Sequence, residues 1–174
     1  MKNLFAVVAM LGMFITACNS KSDEEKTAAT TDTTLVPEAK MNEKTDPVTG
    51  KMVLTGAAKI GQPINITFSV YNNTDSVVKF CKWHTPFERL MSKYLDVALE
   101  DHTNVDYSGP MAKRVMPPPA DSYVSLKKGD STSTSFNLAD AYPISKPGVY
   151  TIKYNSSAIS GIVVADSLKI NVTN

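Results

Sequence analysis

The feature that most constrains this chain is a two-residue alternation of apolar side chains. Ile64, Ile66, Phe68 and Val70 alternate with Asn65, Thr67 and Ser69. Leu95, Val97 and Leu99 alternate with Asp96 and Ala98, and Leu168, Ile170 and Val172 with Lys169 and Asn171. Side chains of a strand point to opposite faces in turn, so each run predicts a strand with one face in a core and one in water. Weaker strands are expected at Met52–Leu54, Val77–Lys82, Tyr123–Leu126, Thr132–Leu138 and Val149–Tyr154. Turn chemistry separates them, at Asn72–Asp75, Asp101–Asn104, Lys128–Asp130 and Lys146–Gly148. No stretch has the spacing and caps of a long helix. Thr85 as N-cap with Pro86 behind it predicts one helical turn over Pro86–Met91.

Short strands at regular spacing over residues 48–174 predict a single antiparallel β-sandwich. Tyr150 follows Pro147-Gly148 at the head of a late strand. That placement resembles the tyrosine corner of immunoglobulin-like sandwiches, whose hydroxyl bonds back to upstream backbone. An ordinary strand tyrosine has the same local sequence. The expected fold is all-β, an immunoglobulin-like antiparallel β-sandwich after a disordered N-terminal tether.

Residues 1–47 are different material. Lys2 gives a basic start, Leu4–Ile15 is an uncharged and mostly apolar run, and the small Thr16-Ala17 precede Cys18. These are the parts of a secretory signal, too short for the about 20 apolar residues of a membrane span. Ile15-Thr16-Ala17-Cys18 resembles the bacterial lipobox, in which the cysteine is acylated and becomes the first residue after cleavage. The resemblance implies a lipoprotein signal peptide over 1–17 and lipid, palmitate included, on Cys18. More than one acyl chain makes a firm membrane anchor. Residues 18–47 are polar, then Ala/Thr-rich, with little but Val36-Pro37 to bury, and are expected to be a disordered tether. Asp23-Glu24-Glu25 resembles the surface-export signal of Bacteroidetes lipoproteins, and a solvated acidic linker has the same composition. The expected location is the bacterial outer membrane, on its periplasmic face or at the cell surface.

Charge narrows the partners. Of 18 basic residues only Lys2 lies in the expected leader, which leaves 17 to balance 17 acids. That balance argues against a nucleic-acid binder. With Cys18 lipidated, Cys81 has no disulfide partner. Set between Phe80 and Trp83, it reads as a buried apolar thiol; a nucleophile would need a histidine such as His84 at its side. Neither His84 nor His102 falls in an HExxH motif, and CxxC, EF-hand, GxSxG and phosphate-cradling glycine motifs are missing. Asp96 and Glu100 lie on the polar face of a strand. No catalytic residue, metal site or cofactor is expected, and the chain reads as a non-enzyme.

Tyr107-Ser-Gly-Pro-Met-Ala-Lys-Arg-Val-Met-Pro-Pro-Pro119 is a long connection with four prolines. Such a segment favours extended backbone and cannot pair centrally in a sheet. Pre-ordered, with basic and flexible apolar side chains, it suits partner recognition. The candidate binding residues are Tyr107, Met111, Lys113, Arg114 and Met116. A crossover between the two sheets would use the same segment.

Blocks spread from Ile64 to Tyr154 resemble a known domain: Phe68-Ser-Val-Tyr-Asn-Asn-Thr-Asp, Lys82-Trp-His-Thr-Pro-Phe-Glu, Asp106-Tyr-Ser-Gly-Pro-Met-Ala-Lys-Arg114, Tyr123-Val-Ser-Leu-Lys-Lys-Gly-Asp-Ser131, Leu138-Ala-Asp-Ala-Tyr142 and Gly148-Val-Tyr-Thr-Ile. They are similar to the N-terminal, non-catalytic domain of bacterial peptidyl-Lys metalloendopeptidases of the deuterolysin or aspzincin group. In that family the domain precedes a zinc peptidase domain with HExxH and GTxxD, and this chain contains neither motif. The resemblance implies an envelope-anchored, protein-binding β-sandwich, associated with a peptidase or inhibiting one, with Lys113 as a substrate mimic. Two other readings stay open: a structural envelope lipoprotein unrelated to proteolysis, and the non-catalytic subunit of a split metallopeptidase.

Overall fold

The period-two segments form strands. A computed structural model describes residues 47–155 and 158–174; the expected signal peptide, Cys18 and the tether lie outside them. The strands are β1 (Val48–Thr55), β2 (Ala58–Lys59), β3 (Asn65–Asn72), β4 (Val78–Cys81), β5 (Leu95–Leu99), β6 (Asn104–Val105), β7 (Tyr123–Leu126), β8 (Ser131–Asn137), β9 (Gly148–Tyr154) and β10 (Leu168–Thr173). Single 3-10 turns occupy Pro86–Glu88, Ala120–Ser122 and Leu138–Asp140.

Three strands in the order β1-β3-β8 make one sheet, and β2-β10-β9-β5-β6 make the other. All pairs are antiparallel except β2 with β10. This is an immunoglobulin-like sandwich: β1, β3 and β8 take the places of strands A, B and E, and β5, β9 and β10 those of C, F and G. The β3–β8 ladder ends at Tyr71–Ser131 and resumes, after residues 73–77 and 127–130, as the β4–β7 ladder at Val78–Leu126. Asn72, buried at the break, holds it together. Its Nδ2 reaches the carbonyls of Ser76, Leu126 and Lys127 at 2.7, 3.2 and 2.8 Å, and its Oδ1 accepts from Thr74 N at 2.9 Å.

The alternation sorts the two faces as expected. Ile66, Phe68 and Val70 are buried, and Phe68 stacks on Tyr154 of the opposite sheet with ring centroids 5.2 Å apart. Burying a side chain of this size contributes about 1.5–3 kcal/mol. The outer face of the three-stranded sheet carries hydroxyls that pair across strands: Thr55 with Thr67 at 2.9 Å, Thr67 with Ser135 at 3.0 Å, and Ser69 with Ser133 at 2.8 Å. The Tyr150 hydroxyl donates to Lys146 O at 2.8 Å, which is the upstream tie of a tyrosine corner. Cys81 is buried, as its apolar neighbours led one to expect.

Two local expectations need correction. Thr85 does cap a turn, its Oγ1 accepting from Phe87 N, but the turn stops at Glu88 rather than Met91. Asn104 leaves the Asp101–Asn104 turn to open β6 beside β5, because Asp101 Oδ1 accepts from Thr103 N and closes the reversal one residue early. That same bond holds the Asp101 carboxyl below its ordinary range. The two-residue strands β2 and β6 carry no alternation long enough to read.

Candidate protein-binding surface

The proline-rich connection runs from β6, in the five-stranded sheet, to β7, in the small β4–β7 sheet, so it is a crossover as well as a surface loop. It lies extended. From Met111 to Val115 exposed and half-buried residues alternate, as on a strand, yet no sheet pairs with it. Its flanking prolines, Pro110, Pro117, Pro118 and Pro119, have no N–H to give to a ladder, and Ala112 N donates to Met91 O.

One set of side chains fastens this strap to the domain. The Tyr107 hydroxyl lies 2.6 Å from both Leu90 O and Pro110 O and donates its one proton between them. Ser108 N donates to Ala141 O at 2.8 Å, and Ala112 N donates to Met91 O at 2.8 Å. Gly109 fits because it lacks a Cβ: one built there would stand 2.7 Å from the Tyr107 hydroxyl and 2.8 Å from Ala141 Cβ. Arg114 turns inward, donating to Glu88 Oε2, with its guanidinium 4.7 Å from the centre of the Trp83 ring. Glu88 Oε1 meanwhile accepts from His84 N at 2.8 Å. The ion pair is largely shielded, with side chains 24% and 11% exposed, so removing one partner strands the other charge.

The other set faces water. Met111, Val115 and Met116 are 71%, 79% and 63% exposed. Lys113 is exposed between them and has no ion-pair partner among the described residues. Five candidates from the sequence thus divide. Met111, Lys113 and Met116 form one outward row, while Tyr107 and Arg114 are committed within the chain and act as fasteners. Sequence reasoning missed the exposed Val115 and Gly109, and nothing local in the sequence marked either.

His84 and His102 both sit in left-handed backbone, with φ of 60° and 66°, at turns far apart in the fold's strand order. No cluster of three or more His, Cys, Asp or Glu side chains converges among the described residues.

No protein-family model and no curated protein matches the chain. Among solved structures it is similar to β-glucosidase from Listeria innocua. The isofagomine complex matches at 14% identity with a TM-score of 0.38, and a second crystal structure of the enzyme at 16% and 0.37. Each match covers 73% of this chain, which spans only 16% of the glucosidase's length. A likeness at these scores bears on neither mechanism nor substrate.

Proposed function

We propose that this chain is an outer-membrane lipoprotein, anchored through lipid on Cys18, that presents a non-catalytic, protein-binding β-sandwich associated with a peptidase or inhibiting it. The observation that carries the binding half is the outward row Met111, Lys113, Val115 and Met116 on a strap fastened from beneath. A loop held in its binding conformation before contact loses less entropy when it binds. Lysine at the centre of an exposed extended strap has the form of a substrate strand for a lysine-specific peptidase.

Two experiments test the reading. Cys18→Ala in the full chain, expressed in a bacterium with an outer membrane, should abolish palmitate labelling and move the protein out of the membrane fraction. Unchanged labelling overturns the anchor. The full chain should also slow a lysine-specific zinc peptidase of the aspzincin group, and Lys113→Ala should remove the effect while leaving the melting temperature unchanged. Binding without inhibition assigns a peptidase-associated module. Failure of either contact leaves the structural envelope reading, and stoichiometric zinc in a complex with a peptidase subunit would assign the split-enzyme reading.

A further inference from the structure

The three-stranded sheet is one strand short. In a sandwich of this kind a fourth strand, D, lies beside E. Here β8 stands in the place of E and β7 continues it along β4, so neither fills the place of D. β8 bonds to β3 along one edge, and none of the described residues forms a ladder with the other.

A cavity of about 610 Å³ lies against that second edge. It touches the consecutive residues Thr134, Ser135, Phe136 and Asn137. Successive strand residues face opposite ways, so only a space set edge-on can touch all four. Phe87, Leu90 and Met91 form the facing apolar wall. Tyrosine hydroxyls hold this wall in place. Tyr154 donates to His84 O at 2.9 Å, Tyr94 to Arg89 O at 3.3 Å and Tyr107 to Leu90 O at 2.6 Å.

The edge is also unguarded. Exposed edges of soluble proteins carry lysine, proline or a bulge against unwanted pairing. β8 reads Ser-Thr-Ser-Thr-Ser-Phe-Asn, with no charge and no proline, and keeps an unbroken register with β3. The cavity carries one charge of each sign. Asp140, whose carboxylate accepts from Asn137 Nδ2 at 2.6 Å, lies just past the end of β8, and exposed Arg89 lies on the facing wall; neither has an ion-pair partner among the described residues.

We propose that the free edge of β8 captures an extended segment of a partner protein as an added strand. The partner's backbone would meet the open amides and carbonyls of β8, alternate apolar side chains would enter against Phe87, Leu90 and Met91, and a carboxylate would meet Arg89. This deepens the protein-binding reading and rests on it, at residues other than the Lys113 row.

The test uses the full chain in detergent and fluorescent seven-residue peptides, the length of β8, that alternate Val or Leu with Thr and carry one Glu. Binding should saturate, and backbone N-methylation of the peptide at alternate positions should weaken it by roughly tenfold or more. Ser135→Pro should do the same from the protein side, and Arg89→Glu should shift preference to a Lys-bearing peptide. The N-methyl comparison needs no variant, so it stands if Ser135→Pro fails to fold. Equal binding of N-methylated peptides, or no binding at all, overturns the proposal. Binding that emerges only after deletion of residues 19–46 gives the edge to the chain's own N-terminal segment and also overturns it. So does a dimer that Ser135→Pro dissociates. Lys113→Ala should leave peptide binding intact, which separates failure here from failure of the strap.

Discussion

The two outer edges of the three-stranded sheet are treated in opposite ways. Beyond β1 the edge is closed: Gly50 N donates to Val163 O at 2.8 Å, Val163 N donates to Val48 O at 3.0 Å, and Thr49 and Val163 form a parallel bridge. Beyond β8 the edge faces a cavity whose far wall is tied by tyrosines. Closing an edge satisfies backbone donors and acceptors and blocks association. A fold that closes one edge with a loop and leaves its twin open but walled has kept a place for a strand.

The largest expected effect is on the wall, through pH. Burial pushes the Tyr154 hydroxyl up to about 12, and raises Tyr94 and Tyr142 well above the ordinary tyrosine value. In the unfolded chain these tyrosines ionise near 10, so between pH 10 and 12 the unfolded state releases protons that the folded state keeps. Stability is full below pH 10 and falls as pH rises through this window, by about 1.4 kcal/mol per pH unit for each such tyrosine. Urea unfolding at stepped pH checks this, and a flat profile from pH 9 to about 11.5 would sink it.

Next comes the closed edge. A Cβ on Gly50 would stand 2.9 Å from methyls of both Ile162 and Val164 and 3.1 Å from the Phe68 ring. Gly50→Val should therefore cost about 3 kcal/mol, the upper range for overpacking a tight site, with an unchanged denaturant slope. A loss below about 0.5 kcal/mol would mean the 162–164 segment moves aside freely and the edge is not closed in solution. Tyr154→Phe should cost less, about 1–2 kcal/mol, because it removes the donor to His84 O and the 2.8 Å contact with Ser160 Oγ but keeps the stacked ring. It should also speed amide exchange around His84 and Arg89, on the open side, without touching Gly50.

The strands of both edges could be read only as weaker segments, Met52–Leu54 within β1 and Thr132–Leu138 over most of β8, because neither carries the apolar alternation of β3. Whether β8 is central or marginal could not be read, since that depends on no described strand pairing with its second edge. The wall was equally hidden. Tyr107 and Tyr154 donate to carbonyls 17 and 70 residues away, and no spacing rule reaches so far. In the strap, Lys113 and Arg114 look alike as neighbouring cations. Only the fold brings Glu88 and Trp83 under one of them, and a planar guanidinium can bond the carboxylate and lie over the indole at once where an ammonium would not. The outward row was legible in kind, as exposed basic and flexible apolar residues, but its division from the fasteners was not.

The smallest effect on stability falls on the open edge, and it sharpens the comparison most. Ser133 is exposed on β8, opposite Ser69, and its hydroxyl makes one solvent-facing contact with Ser69 Oγ at 2.8 Å. Ser133→Lys removes that contact and supplies the guard the edge lacks. Because the contact is exposed, unfolding free energy should change by no more than about 0.5 kcal/mol. Peptide capture should nevertheless fall by roughly tenfold, since a strand laid beside β8 must displace or desolvate the new ammonium. The mirror change on the closed edge is Lys51→Ser, which removes the one charge on the exposed face of β1. It should alter neither stability nor capture, because Val163 already occupies the place beside Gly50. Capture that survives Ser133→Lys would show that a charge does not guard these edges, whereas capture that appears with Lys51→Ser would show that Lys51, rather than the bridge to Val163, closes the β1 edge.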